Sequence, residues 1–299
     1  MSYDVVISFA SGFGNMDACA IALRSMKDMP YRPGEGDSWA LWAGKGLFIT
    51  LGGHGDWLTG CWYSPNKRAW FCSAAGRVTT YWNMEAGFGN VQWSETMLGA
   101  SLFGIWGFSD EHILAWGERA GQGVMFRWDG QAWSEVAPPG GMVIGLHGKR
   151  PDLIVAVGKG LISRWDGQRW NAVEVPSGLV LNAVWVEGED EMYACGPSGI
   201  LMEGSVHGWA QRLQAPHGLF GVAKFKGDIW LGCGDAGVGK LQGQAVQIIK
   251  PNIPGFPMDA REALLITAQR ILAHTADGAS FSGTMKEAVA DVHGKQPLW

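Results

Sequence analysis

The sequence predicts an all-β protein built from repeated four-stranded antiparallel units, and three observations carry that prediction. The heptapeptide RWDGQAW at 127–133 returns as RWDGQRW at 164–170, which sets Trp128 and Trp165 37 residues apart. Short apolar stretches recur on either side of these copies, each bounded by turn residues. Glycine (45) and tryptophan (17) are abundant while charged residues make up only 17%, below the ~25% usual for soluble domains, so the chain is rich in turns and aromatic packing elements.

The unit is cleanest over 179–214. There LVLNAVWV, the turn EGED, EMYACG, the turn PSG, ILMEGS, the turn VHG and WAQRLQ read as four short strands. From the N-terminus onward, residues 1–57 hold four strand-like stretches, YDVVISFA, ACAIALRS, SWALWA and GLFITLGG, a divergent first unit. Further units begin near Leu58, Leu102, Val143, Leu219 and Ala263. Taking Trp62, Trp106, His147, Trp185 and Lys224 as equivalent positions on innermost strands gives spacings of 44, 41, 38 and 39 residues. Four strands in ~40 residues is the pattern of a β-propeller blade. One such sheet cannot bury both faces alone, so blades stack about an axis until the ring closes.

The expectation is therefore a single propeller domain over 1–299, with clear repeats over 58–299 and residues 1–57 supplying one more blade and the ring closure. Seven blades follow; six is the alternative, with 27–38 as a long irregular loop. Closure is expected from an N-terminal strand completing the last blade, with VADVHG (288–293) pairing with or beside YDVVISFA. Trp133, Trp170 and Trp209 begin outermost strands, where large rings cover the neighbouring blade. Cys72, Val157, Cys195 and Cys233 align at the end of the second strand, so the cysteines read as packing residues. A Cys61–Cys72 bridge is the alternative for that pair.

On these W-D-G-x-x-W copies the chain resembles the β-propeller superfamily, especially its bacterial members built from such repeats. The motif is well kept twice; the later copies read VHG before Trp209 and LQGQAV, with Val246 at the Trp position. TADGASF (275–281) is loosely similar to the Asp-box of other propellers, although Asp277 and Gly278 are adjacent. The resemblance implies a fold and no particular activity.

GDAGVGKL (234–241) comes close to a phosphate-binding loop, with Gly234, Gly239 and Lys240 at the right spacing. In the blade register DAG is a hairpin turn like PSG (197–199). A phosphate loop also needs a helix behind it, and Leu241 replaces the magnesium-binding Ser/Thr. The net charge of −5 and the absence of a basic run argue against nucleic acid. MSYDVVISFASGF has no basic n-region and no apolar run reaches ~18 residues, so export and membrane insertion are not expected and a cytoplasmic protein is.

Seven scattered histidines lack ligand spacing, and the acids of EGEDE (187–191) read as a solvated hairpin tip, so no metal and no cofactor are expected. ERAGQG (118–123) reads as a longer turn than its equivalents, and Trp39, Trp42, Trp57 and Trp93 fall outside the clear repeat positions. The reading that follows is a non-enzymatic scaffold, accessory or inhibitory protein. It would bind another protein through the ring face made by blade connections and second-to-third-strand turns, with His54, Asp56, Trp57, Glu118, Arg119, His217 and Asp235 as candidate contacts. A glycan is the alternative ligand, and a metal-dependent lyase or hydrolase the second alternative.

Overall fold

The computed structural model describes residues 4–13, 18–26, 37–44, 47–268 and 271–284. It is a seven-bladed β-propeller in which every blade is a four-stranded antiparallel sheet. In order from the inner to the outer strand, blade 1 is Asp4–Phe13, Ala18–Met26, Ser38–Gly44 and Leu47–His54. Blade 2 is Leu58–Tyr63, Ala69–Ser73, Arg77–Trp82 and Gln92–Met97; blade 3 is Ser101–Ser109, His112–Arg119, Gln122–Trp128 and Trp133–Val136. Blade 4 is Val143–Arg150, Leu153–Gly158, Leu161–Trp165 and Trp170–Val173; blade 5 is Ala183–Val186, Met192–Cys195, Ile200–Ser205 and Gly208–Gln214. Blade 6 is Gly221–Phe225, Asp228–Gly232, Val238–Gln242 and Ala245–Lys250; blade 7 is Met258–Ala260, Leu264–Ala268, Ile271–Thr275 and Ser282–Thr284.

The core lies between blades, because alternate residues of each strand face opposite neighbours. Ile113, Val124 and Phe126 of blade 3 pack with Trp62, Trp70 and Cys72 of blade 2, while Met125, Val143, Ile154 and Leu161 join blades 3 and 4. The cysteines belong to these cores. Cys61 and Cys72 are free thiols, like Cys19, Cys195 and Cys233, so the bridge weighed for that pair is not formed. Burial pushes the Cys19, Cys72 and Cys233 thiols up to about 12.

Two registers differ from the sequence reading. Trp185 pairs with Tyr193, and Ala183 with Cys195. In blade 6 the corresponding pairs are Ala223 with Trp230 and Gly221 with Gly232. Ala223 and Gly232 therefore hold the positions assigned to Lys224 and Cys233, and the one-residue slip turns Lys224 to the other face. Lys224 Nζ donates to Glu191 Oε2 at 2.5 Å.

Closure also differs. Among the described residues each blade is built from four consecutive strands and none is lent by the N-terminus to blade 7; residues 288–293 lie outside the described residues. The seam between blades 7 and 1 is sealed by Ile7, Ile21, Leu23, Leu41, Leu265 and Leu272, with polar contacts at the inner edge. Gly12 N–H donates to Asp259 Oδ2 at 3.0 Å. Arg261 donates through Nη2 to Ser11 Oγ at 2.9 Å and through Nη1 to the Tyr63 carbonyl at 2.7 Å, tying blades 7, 1 and 2 together. These side chains satisfy backbone groups of inner strands that have no further strand to pair with.

Candidate functional site

The W-D-G-x-x-W hairpin is a self-contained device. Asp166 Oδ1 accepts the Gln168 and Arg169 N–H groups at 2.9 Å each, and Asp129 does the same for Gln131 and Ala132. These bonds favour the ionised carboxylates and hold both below the usual range, Asp166 at about 2. Gly130 (φ 98°) and Gly167 (φ 93°) take the left-handed turn that a side chain would strain. The flanking tryptophans then pair across the strands, Trp128 with Trp133 and Trp165 with Trp170. TADGASF, without flanking tryptophans, makes the same pair of bonds, Asp277 Oδ1 accepting from the Ala279 and Ser280 N–H groups at 2.8 Å.

What these tryptophans meet differs from blade to blade. Trp70 of blade 2 packs against Trp128 at 5.8 Å and Trp133 at 6.3 Å, filling the space beside them. Register puts Leu114 at the corresponding position of blade 3, paired with Trp106 as Trp70 is paired with Trp62. Leucine is the smaller side chain, and beside Trp165 and Trp170 there is a cleft of about 810 Å³. Its walls are mainly apolar, including Phe108, Leu114, Met125, Ile154, Trp165 and Trp170. Trp170 Nε1 donates to the Ala137 carbonyl at 3.2 Å, which fixes the outer ring.

The rim is cationic in an acidic protein. Arg127, Arg150 and Arg169 line it with Asp152. Arg150 Nε is held by Asp152 Oδ1 at 2.6 Å and its Nη2 by Glu189. Arg169 approaches Asp166 at 4.0 Å, whereas Arg127 has no carboxylate within ion-pair distance among the described residues. An apolar trench with partly uncompensated guanidinium groups suits a large apolar group next to a carboxylate.

The seven residues picked from sequence sit at the opposite end of the ring. His54, Asp56 and Trp57 lie at the blade 1–2 connection, His217 in the blade 5–6 connection, and Glu118, Arg119 and Asp235 at second-to-third-strand turns. Several hold the fold together. Asp56 is 5% exposed; its carbonyl accepts from Ser38 Oγ at 2.5 Å, and Arg77 Nε stands 3.9 Å from its Oδ1. The Arg24 guanidinium lies over Trp57 at 5.2 Å. Arg119 Nη1 forks onto Glu135, at 3.0 Å from Oε2, and Glu118 Oε2 accepts the Gly121 N–H at 3.1 Å. The turn ERAGQG is in fact tight, because the strands run on to Arg119 and from Gln122 and leave only Ala120 and Gly121 to turn. Burial pushes His54 down from its ordinary value; His217 is half-buried and Asp235 exposed.

Other motifs resolve into structure. DAG (235–237) is the hairpin turn between the second and third strands of blade 6, and Lys240 Nζ donates to Asp228 Oδ2 at 2.6 Å while lying 4.2 Å from the Trp230 ring centre. The acids of EGEDE are not simply solvated. Glu187, Glu189 and Glu191 pair with Lys149, Arg150 and Lys224 of neighbouring blades. His147 stacks on Trp185 at 4.3 Å and meets Trp106 at 5.4 Å, while its Nδ1 accepts the Val186 N–H at 3.0 Å. Burial, then Arg261 and Lys149, push it down to about 3, so the ring is neutral. Among the described residues no three His, Cys, Asp or Glu side chains gather as a metal site. Trp93, paired with Tyr81 as Trp133 is with Trp128, is an outer-strand tryptophan left 61% exposed.

No protein-family model matches the chain, and no curated protein matches it in sequence. Similar solved structures include YCF48 bound to D1 peptide (TM-score 0.64, 14% identity, 90% of each chain). The WD40 β-propeller domain of Doa1 aligns with a TM-score of 0.63 at 12% identity, covering 90% of this chain and 91% of that one. A chain of a mitotic checkpoint complex gives 0.64 at 12% identity over 94% and 87%. At these identities the likeness is one of fold.

Proposed function

We propose that this chain is a non-enzymatic, protein-binding propeller that takes an extended segment of its partner into the cleft between blades 3 and 4. The segment would insert a large apolar side chain between Leu114, Trp165 and Trp170 and present an adjacent Asp or Glu to Arg127 and Arg169. The observation that carries this reading is the pairing of an apolar trench of about 810 Å³ with a cationic rim on a chain of net charge −5. Rigid strands on both walls lower the ordering cost of binding, and buried tryptophan and rim arginine are the residue types that dominate such interfaces. Relatives in fold give support by analogy, since YCF48 was solved with D1 peptide and another similar chain within a mitotic checkpoint complex. A scaffold, accessory or inhibitory role fits this mode of binding. The surface around His54, Glu118, His217 and Asp235 is a second contact region for a large partner.

The test is selection of binders from a random peptide display library by the purified protein. The reading expects recovered sequences to share a Phe, Trp, Leu or Met beside an acidic residue, and to lose binding when Leu114→Trp fills the cleft. Recovered peptides without that pattern, or indifferent to the substitution, contradict it.

A further inference from the structure

The interface between blades 2 and 3 has a second cleft at the same end of the ring, of about 780 Å³ and of opposite character. With Trp70 filling the apolar space, what is left lies further out, between the first hairpin of blade 2, the segment 83–91 and the first hairpin of blade 3. Its walls include Asn66, Trp82, Asn83, Gln92, Asp110 and Glu111. Segment 83–91, which carries two short 3-10 turns (Met84–Ala86 and Phe88–Asn90), replaces the four-residue W-D-G turns of blades 3 and 4.

We propose that this cleft binds a neutral polyhydroxylated ring, a saccharide. The chemistry is the mixture of one indole, several amides and several carboxylates. Vicinal hydroxyls donate to carboxylate oxygens and accept from amide N–H groups, and the C–H face of a pyranose would pack on the part of the Trp82 ring that lines the cleft beside the Arg68 guanidinium. The cations of the wall are already engaged, Lys67 Nζ with Glu85 Oε1 at 2.8 Å and the Arg68 guanidinium over Trp82 at 5.4 Å, so the site does not call for an anion. Asp110 Oδ1 accepts from Trp70 Nε1 at 3.2 Å, while its Oδ2 is buried and has no hydrogen-bond partner among the described residues.

The walls are set before any ligand arrives. Trp82 Nε1 donates to Gln92 Oε1 at 2.7 Å. Asn83, in the left-handed conformation at φ 64°, donates through Nδ2 to the Asn90 carbonyl at 3.0 Å, and Asn90 Nδ2 donates to the Ala86 carbonyl at 2.9 Å. A long loop laced in this way keeps its recognition groups in place. This cleft is separate from the one proposed for peptide, and its test is independent of that reading.

The experiment is saturation-transfer difference NMR on the purified protein with glucose, galactose, mannose, N-acetylglucosamine and their β-linked disaccharides, each at about 20 mM to reach millimolar affinities. At least one sugar is expected to receive saturation, with Trp82→Ala weakening it about tenfold and Leu114→Trp leaving it unchanged. Because Trp82→Ala could disturb segment 83–91, Glu111→Gln, an isosteric change on an exposed residue, is measured beside it and is expected to weaken the same sugar. Absence of transfer from every sugar overturns the proposal, and so does transfer that neither Trp82→Ala nor Glu111→Gln alters.

Discussion

The interfaces on the two sides of blade 3 start from the same parts and end as different surfaces. On one side the Trp128 and Trp133 pair meets Trp70, and the apolar space is filled. On the other, Trp165 and Trp170 meet Leu114, and the space stays open as an apolar cleft. A repeat therefore fixes the walls, and the side chain on the neighbouring blade, Trp70 or Leu114, separates a filled core from an open cleft. The segment after the third strand adds a second difference. The short W-D-G turn leaves blade 4 with a compact edge, whereas residues 83–91 build a polar wall on blade 2.

Exchanging the deciding residues is the strongest way to break this contrast. Trp70 is 3% exposed and bonded to Asp110, so Trp70→Leu should cost about 3 kcal/mol in a denaturant titration and create a second apolar cleft beside Trp128 and Trp133. A stability loss without new dye or peptide binding at that interface would show that the neighbouring side chains collapse into the gap.

A smaller effect should appear with pH. His147 joins Trp185 to Trp106, and Trp106 packs at 4.5 Å on Phe108, a wall of the apolar cleft. Its folded pKa, about 3, lies below the unfolded value near 6.5, so the unfolded chain binds the proton first. Its contribution is then complete above pH 6.5 and lost as pH falls toward 3, with a limiting slope of about 1.4 kcal/mol per pH unit. His54, also pushed down, adds the same sign. Urea titrations between pH 7 and 4.5 should show the slope in the wild type and a flatter profile in His147→Asn, whose amide oxygen can still accept the Val186 N–H. An unchanged slope in that variant would place the titration elsewhere. Hydrogen exchange should quicken in blade 4 before blade 2 over the same range.

The smallest effect is electrostatic. Arg127→Glu reverses the unpaired rim charge, so a selected acidic peptide should bind about fivefold more weakly at low salt, chiefly through slower association, with the difference fading at high salt. The polar cleft should bind sugar unchanged.

The ring was legible in the sequence because RWDGQxW recurs and turn residues mark most strand ends. Seven blades follow from the same spacing even where the tryptophans are lost, as in TADGASF. Single-residue registers were less legible. Glycine-flanked strands such as GVAKF give little alternation to fix which residue points inward, so the sequence alone sets Lys224 and Cys233 one position beyond the residues that hold those places, Ala223 and Gly232. The seam was hidden as well, since Asp259 and Arg261 meet Gly12, Ser11 and Tyr63 only after closure. For the site, the tryptophans were visible but the cleft was not, because it depends on Leu114 standing where Trp70 stands one blade earlier. Of the candidate contacts on the ring face, Asp56, Trp57 and Arg119 are engaged within the fold as braces.

The most direct test of the central claim is calorimetric titration of one selected acidic, apolar peptide into the wild-type protein and into Leu114→Trp, with denaturant titrations confirming that both are folded. The account predicts about a hundredfold weaker binding, or none, to a Leu114→Trp protein of near wild-type stability. Equal affinity for the two proteins would contradict it and move the partner site away from the cleft between blades 3 and 4.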